Sequence, residues 1–483
     1  MKNIFNKWGA AALLSSAFLF TGCDPEFEDD VTISKGSLDL TKYVAVGNSL
    51  TAGYQDNGLY LEGQVFSYPN ILANQFSYAG GGDFVQPLFT SAQANGSGYL
   101  RLSGFTATGS PILVPVTQGL AVRGMGADGK TALLTRYTEL DKIQNFGVPG
   151  IKLADIKTPG YGLNNPIGFN PYFERILPEN SPTTYLQRVS GNQHTFFSAW
   201  LGNNDVLGYA TAGGFAGTIT PVATFTTYYT ELITAMTANG AKGIVATIPD
   251  VRSVPFFTTV GPTAKPLLAS AVAAANAAGL PITGVTALTK NTATRINITP
   301  ASIKDASGGT ILLTLTSSAY LPLVGQPTGR YWRELAVSQN PINPTAQLQG
   351  YLAAFQIDTT KAFGLDPRNP VPSAFVLDEE EQNEINTATT AYNSAIIAQA
   401  NAKGLAIFDA YAFFNSIQNG FMLNGVGYSP AFITGNLFSL DGVHPTQRGY
   451  AIIANRMIEA INSKYGATIP TIDVTQFRAV LFP

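Results

Sequence analysis

Short apolar runs alternate with helical segments along much of this chain. Four runs have the length and composition of buried strands, at residues 43–46, 195–201, 243–248 and 405–409. Apolar residues at helical spacing lie between or after them, at residues 68–76, 225–239, 378–404 and beyond Pro445. Strands and helices that alternate in this way build a parallel sheet with helices on both faces, so the pattern predicts an α/β fold.

Two segments interrupt this alternation. Residues 81–140 are rich in Gly, Ser, Thr and Ala, and residues 251–375 combine an Ala-rich helical piece with β-like runs. We interpret both as insertions into one domain at residues 41–465, which a tail at residues 466–483 follows. Both leave the core where strands end, so we expect them to flank one cleft and to set substrate choice.

The composition agrees with a large, loop-rich globular domain. The 483 residues include 48 Gly and 29 Pro, and only 12% are charged, about half of the roughly 25% that is usual in globular proteins. Aromatic residues make up 11% and are spread along the chain, which does not indicate disorder. The net charge of −3 offers no basic surface for a nucleic acid.

The first residues have the features of a secretory signal. Lys2 and Lys7 accompany an apolar run at residues 9–20, shorter than the roughly 20 residues that span a bilayer. The run ends just before Cys23, the one cysteine of the chain, in a pattern that resembles the lipobox of bacterial lipoproteins. The resemblance implies a signal peptide at residues 1–22 and a lipid on Cys23. The alternative is an ordinary signal peptide with an incidental cysteine.

An acidic segment, residues 23–40, follows the apolar run. Five of its six carboxylates lie at its start: Asp24, Glu26, Glu28, Asp29 and Asp30. Such a run is normally a solvated tether, and it also looks like the acidic export signal that some Gram-negative lineages use for surface lipoproteins. We therefore expect a membrane-anchored lipoprotein of the outer membrane, exposed at the cell surface if the second interpretation holds.

Polar clusters occur where the predicted strands end. They are Ser49, the 145–150 loop, Asn204, and Asp441 together with His444. The two glycines of the loop allow a close backbone approach or a positive φ. Each cluster also has an ordinary interpretation: Ser49 as a helix cap or turn residue, residues 145–150 as a plain loop, and Asp441 as the residue of a capping turn.

Only two histidines are present, His194 and His444. Histidine is the side chain best suited to carry a proton near neutral pH, so His444, three residues after Asp441, is the candidate base. His194 lies at the opposite end of its predicted strand, away from the polar clusters, and we expect it to be structural. With two histidines and one cysteine the chain has few zinc ligands, so we expect no metal and no cofactor.

Ester hydrolysis by a serine needs a base for the hydroxyl proton and a carboxylate that orients the base. It also needs fixed donors where the oxyanion forms. The four clusters supply each of these parts once. An α/β-hydrolase is a poor match, because it uses a Gly-x-Ser-x-Gly elbow and places its acid well before its histidine.

In these clusters the sequence resembles the GDSL, or SGNH, family of serine esterases and lipases. Its four blocks are similar to Gly47-Asn48-Ser49-Leu50, Asn145 to Gly150, Gly202-x-Asn204-Asp205 and Asp441-x-x-His444-Pro445. Asn48 stands where the family usually has Asp, a position outside the triad. The resemblance implies an SGNH-hydrolase-like, that is flavodoxin-like, parallel sheet flanked by helices. The two long insertions have no counterpart in compact members of the family.

The resemblance also implies the role of each residue. Ser49 is then the nucleophile, His444 the base and Asp441 the acid that orients the base. The oxyanion donors are the N–H groups of Ser49 and Gly150 and the side-chain amide of Asn204.

The implied function is that of a lipid-anchored, extracytoplasmic serine ester hydrolase, acting on acyl or acetyl esters of lipids or carbohydrates. Its partners are an ester substrate and a membrane, which it contacts through Cys23, and we expect a monomer. The alternative is a surface lipoprotein on the same fold that binds glycans without turnover. An intact triad favours the enzyme, because a binding protein has no need for Ser49, Asp441 and His444 together.

Overall fold

A computed structural model describes residues 32–107 and 109–483 of the chain. The predicted signal peptide, Cys23 and the acidic residues 24–30 lie outside the described residues. Within those two ranges, no helix combines the length and apolar character needed to cross a membrane.

The core is a parallel sheet of five strands. In chain order these are β1 (Tyr43–Gly47), β2 (Asn145–Gly147), β3 (Phe196–Trp200), β4 (Lys242–Ala246) and β5 (Ala406–Phe408). Their spatial order is β2-β1-β3-β4-β5, with every pairing parallel. This is the flavodoxin-like order, whose topological switch point lies between β1 and β3. The predicted α/β fold is confirmed.

The ends of the three strands nearest the switch point are level with each other. Gly47, the last residue of β1, pairs with Gly147 of β2 on one side and with Trp200 of β3 on the other. Segments that leave these three strands therefore start at one edge of the sheet. Ligands bind at this edge in open α/β sheets.

Helices cover both faces of the sheet, as right-handed crossovers require. Helices Tyr68–Tyr78 and Gln447–Tyr465 pack together, and so do helices Val222–Met236 and Glu379–Lys403. Shorter helices adjoin the core at Ser49–Ala52, Leu61–Val65, Pro171–Glu174, Tyr185–Ser190, Asn204–Thr211 and Ala410–Ser416. Phe76 and Tyr465 contact Phe196 of β3 edge-on, which seats the first pair of long helices on the sheet.

The longest helix, Glu379–Lys403, begins and ends as its sequence predicts. Asp378 accepts a hydrogen bond from the N–H of Glu381 at 2.9 Å, and Glu381 accepts one from the N–H of Asp378 at 2.8 Å. This capping box pairs two N–H groups that have no partner within the helix. Gly404 ends the helix with a φ of 65°, a conformation that glycine adopts at low cost.

The first insertion forms two hairpins. Their strands are Tyr99–Phe105 with Pro111–Val116, and Val122–Met125 with Ala132–Leu134. Leu102 of the first hairpin packs with Ile433 and Leu440, immediately before the predicted acid. Arg123 and Arg136 from the second hairpin both contact the buried carboxylate of Glu174. The first insertion is thus held against the core at both hairpins.

The second insertion has an apolar cluster separate from the main core. Its helices are Pro255–Thr258, Gly261–Ala277, Arg330–Gln339 and Pro344–Ala354. Its strand pairs are Val285–Leu288 with Arg295–Ile298, and Leu312–Leu313 with Val376–Leu377, the latter beyond the predicted end of the insertion. A further hairpin, Phe421–Leu423 with Val426–Tyr428, lies between β5 and the last helix.

Candidate active site

Ser49 lies at the sheet edge just described. β1 ends at Gly47, and the side chain of Asn48 accepts a hydrogen bond from the N–H of Leu50 at 3.1 Å, which caps the short helix Ser49–Ala52. Asn48 is fully buried and also donates to Asn203, after β3, at 3.3 Å. Asn48 therefore holds the Ser49 turn against the end of the neighbouring strand.

Two glycines allow the backbones around Ser49 to approach each other. A Cβ atom on Gly147 would lie 2.2 Å from the backbone nitrogen of Ala52, so no larger residue fits there. Gly150 has a φ of 82°, in the left-handed region that glycine adopts readily. The two glycines of the 145–150 segment thus provide the close backbone approach and the positive φ that the sequence predicted. It also contains β2, which the sequence did not indicate.

A hydrogen-bonded relay connects the predicted triad. His444 Nε2 lies 2.9 Å from Ser49 Oγ, and His444 Nδ1 lies 2.9 Å from Asp441 Oδ2. The side chains of His444 and Asp441 are only 13% and 10% exposed, so little water competes for these bonds. The base stands between the hydroxyl and the carboxylate, as proton transfer from a serine requires.

Asp441 is held as an ionised carboxylate. Its Oδ1 accepts hydrogen bonds from the N–H groups of Val443 and His444, both at 2.8 Å, and its Oδ2 accepts one from the N–H of Asn57 at 2.9 Å. Burial acts to raise the pKa of Asp441, but the neighbouring His444 and the hydrogen bonds outweigh it and lower the pKa to about 2. Asp441 therefore stays charged beside the imidazole at neutral pH.

The loop at residues 54–57 supports the relay, a role that the sequence analysis missed. The ring of Tyr54 packs on the imidazole of His444, with 4.7 Å between the centroids. Asp56 accepts from the N–H of Leu440 at 3.0 Å, and its own N–H donates to Ser439 Oγ at 2.9 Å. Asp56 and Asn57 have φ values of 53° and 61°. The Asp-Asn-Gly run at residues 56–58 is a turn signal that could have pointed to this loop.

Hydrogen bonds extend this support to the C-terminal tail. Tyr60 donates its hydroxyl proton to Asp56 Oδ2 at 2.7 Å, and Arg478 lies 3.2 Å from the same Tyr60 hydroxyl. Arg478 also holds the two carboxylate oxygens of Glu62 at 2.7 Å each. The C-terminal tail therefore supports, through Tyr60 and Asp56, the loop that carries Asp441.

The predicted oxyanion donors lie together beside Ser49. The side-chain nitrogen of Asn204 donates one proton to the carbonyl of Ile151 at 2.9 Å, which fixes the amide beside the 145–150 loop. An amide nitrogen carries two N–H groups, so the second can serve a bound oxygen. Ser49, Gly150 and Asn204 line one open cleft together with His444.

Asp205 fixes the same loop from behind. It is fully buried and accepts hydrogen bonds from Leu153 N–H at 2.7 Å, Ala154 N–H at 3.2 Å and the Thr220 hydroxyl at 2.6 Å. Burial raises the pKa of Asp205 to about 6, although these hydrogen bonds act to lower it. Its place behind the site indicates support of the loop that follows Gly150.

Two cavities meet at Ser49, which we name the inner pocket and the outer cleft. The inner pocket, with ≈ 510 Å³ of empty space, is lined by Asn48, Ser49, Leu50, Trp200, Asn203, Asn204, Leu207, Pro249, Val251, Val254, Phe414, Phe438, Val443, His444 and Pro445. The outer cleft, with ≈ 1020 Å³, is lined by Ser49, Tyr54, Asn57, Pro149, Gly150, Lys152, Tyr172, Asn204, Leu207, Gly208, Thr211, Phe256, Asp441, Val443 and His444. The second insertion contributes only Val251, Val254 and Phe256, and none of the described residues of 81–140 lines either cavity. The first insertion therefore does not flank the cleft, contrary to the prediction from the sequence.

Comparison with protein families agrees with the fold. The family described as GDSL-like Lipase/Acylhydrolase matches residues 328–457, a span that contains Asp441 and His444. Over this span the chain is similar to the GDSL/SGNH family. The match supports a hydrolase of the esterase or acylhydrolase type. No curated protein matches the chain.

The structure brings all five predicted site residues together: Ser49, Gly150, Asn204, Asp441 and His444. The first three lie outside the matched span, so their place beside the relay is information that the family match does not contain. His194 lies at the far end of β3, where its Nε2 is 2.8 Å from the carbonyl of Met236. This histidine is buried and remote from the cleft.

Proposed function

We propose that this protein is a serine hydrolase that cleaves carboxylic esters through an acyl-enzyme. The observation that carries the proposal is the unbroken relay from Asp441 through His444 to Ser49, with both hydrogen bonds at 2.9 Å. The relay opens into a cleft wide enough to admit a substrate. The similarity of residues 328–457 to a family of lipases and acylhydrolases also supports the proposal.

In the first half of the reaction, Ser49 Oγ attacks the ester carbonyl carbon while His444 Nε2 takes the hydroxyl proton. Asp441 keeps the other ring nitrogen protonated and stabilises the imidazolium. The negative charge on the former carbonyl oxygen is held by the N–H groups of Ser49 and Gly150 and by the amide of Asn204. When the tetrahedral intermediate collapses, His444 returns the proton to the departing alcohol.

In the second half, water replaces the alcohol. His444 takes a proton from the water as its oxygen attacks the acyl carbon, and the same three donors hold the second oxyanion. Collapse breaks the bond to Ser49 Oγ, which recovers its proton from His444. The products are an alcohol and a carboxylic acid, and the protein ends in its starting state.

A fluorophosphonate probe tests the nucleophile without any knowledge of the substrate. We expect the probe to modify Ser49 covalently, because His444 activates that hydroxyl, and peptide mass spectrometry to locate the label. His444→Gln should abolish labelling while the protein stays folded, whereas Asn74→Ala, on an exposed helix surface, should label normally. A folded protein that binds glycans but takes no label at Ser49 would favour the non-catalytic alternative.

We further propose that Cys23 carries a lipid that anchors the protein to the outer membrane. The support is its unique occurrence at the end of the apolar run of the signal sequence. Two or more acyl chains give lasting attachment where a single chain is marginal. Cys23→Ala should move the protein from the membrane to the soluble fraction, as measured by fractionation and immunoblotting. Continued membrane retention would identify another anchor.

The acidic residues after Cys23 lead to a proposal about orientation. If they act as an export signal, protease added to whole cells should digest the anchored protein. Neutral replacements of Asp24, Glu26, Glu28, Asp29 and Asp30 should protect it while membrane attachment persists. Equal digestion of the wild type and the neutral variant would indicate that the acidic segment acts only as a tether.

A further inference from the structure

We infer that the inner pocket binds the acyl chain and the outer cleft binds the alcohol, so that the natural substrate is an ester of an acid longer than acetic acid. The inference rests on the proposed function and deepens it by assigning the two halves of the ester. It derives from the different walls and the different openness of the two cavities.

The wall of the inner pocket offers few polar groups to a ligand. Its indole, Trp200, donates its N–H to the carbonyl of Thr247 at 3.1 Å, and the amides of Asn48 and Asn203 bond to each other. Apart from the residues beside Ser49, the remaining lining is aliphatic, aromatic or proline. A sugar placed there would leave hydroxyl groups without partners, at a cost of about 1–3 kcal/mol each. An alkyl chain has no such groups.

The outer cleft has a mixed wall. Asn57, Lys152 and Thr211 contribute polar atoms, and Tyr54, Tyr172 and Phe256 contribute aromatic surface. Such a lining suits an alcohol that carries hydroxyl or charged groups beside apolar surface.

The order of the reaction assigns the cavities in the same way. The alcohol must leave, and water must enter, while the acyl group is still bonded to Ser49. A departing group needs the more open cavity, whereas a covalently held group can occupy the smaller one. Ser49, Asn204 and His444 line both cavities, so a carbonyl carbon at Ser49 can direct its two substituents into different cavities.

This assignment predicts a dependence on chain length. Burial of each methylene group in an apolar pocket should raise kcat/KM about fourfold. We therefore expect p-nitrophenyl esters to be cleaved faster as the acyl chain grows from acetyl, until the inner pocket is full. The measurement uses the full-length protein in detergent and a series of esters that share one alcohol.

Two variants that change the pocket volume in opposite directions distinguish an effect on acyl-chain binding from general structural damage. Val254→Phe fills the inner pocket and should move the preferred acyl chain to shorter lengths. Phe414→Ala enlarges the pocket and should move the preference to longer chains. The matched control is Phe256→Ala in the outer cleft, which should change the dependence on the alcohol and leave the chain-length profile unaltered.

The outcomes for this assignment and for the proposed function are distinct. If Ser49 takes the fluorophosphonate label but acetyl esters are cleaved as well as longer ones, the protein is an esterase and the assignment is overturned. The same holds if Val254→Phe and Phe414→Ala remain labelled yet leave the chain-length profile unchanged. If Ser49 takes no label, the proposed function fails and the assignment fails with it.

Discussion

Ser49→Ala should lower kcat on the best ester by about 10⁶, the size of loss that removal of a serine nucleophile causes. The variant keeps the cleft and all three oxyanion donors, because the donor at position 49 is a backbone N–H, so a small residual rate over water should remain. Among the described residues, Ser49 Oγ is hydrogen-bonded only to His444. The melting temperature should therefore stay close to that of the wild type, which thermal melts of both proteins measure.

Asn204→Ala provides the comparison for this result. It retains the relay and removes one oxyanion donor, so kcat should fall by about 10²–10³ with KM little changed. A rise in KM alone would make Asn204 a residue that binds substrate in the ground state. Full turnover by Ser49→Ala would exclude Ser49 as the nucleophile.

Asp441→Asn should lower kcat by about 10⁴, as expected when the base is held in the wrong tautomer. The N–H groups of Val443 and His444 point at one oxygen of Asp441, so the amide oxygen of an asparagine would face them. Its NH₂ group would then face Asn57 N–H and His444 Nδ1. Nδ1 would become an acceptor, the proton would lie on Nε2, and His444 could no longer take the proton of Ser49.

The pKa of Asp441 also predicts how the stability difference between the wild type and Asp441→Asn depends on pH. The pKa of about 2 lies below the value of 3.8 for the free side chain, so the ionised carboxylate stabilises the wild type above about pH 4. That stability is lost as the pH falls from about 4 towards 2, whereas Asn has no such titration. The difference in melting temperature between wild type and Asp441→Asn should therefore narrow over this interval. A constant difference would show that the charge of Asp441 does not contribute to stability.

The sequence predicted much of the core because its signals are local. Strands β1, β3, β4 and β5 are apolar runs, and the helix Glu379–Lys403 carries its own capping residues and terminal glycine. β2 was not predicted, because it has only three residues, Asn145, Phe146 and Gly147. Asn and Gly are both uncommon in strands. Its pairing with β1 depends on the absence of a side chain at Gly147, a tertiary effect.

The parts of the site that were not predicted depend on contacts between distant segments. Nothing local to residues 54–57 shows that Asn57 donates to Asp441, because that contact joins opposite ends of the domain. The first insertion was expected at the cleft, yet Leu102 packs behind Leu440 instead. Which face of the core an insertion covers is decided by complementary apolar surfaces, which periodicity does not reveal.

The separation in sequence between the nucleophile and its base governs when this protein can become active. Ser49 and His444 are 395 residues apart, and Asp56 and Leu440 are 384 apart. A chain synthesised only as far as β5 therefore holds the serine without any base to activate it. Closure of so long a loop requires both ends of the domain to be docked. Under the proposed function, ester cleavage thus begins only after folding is complete, and the nascent chain cannot cleave the esters around it.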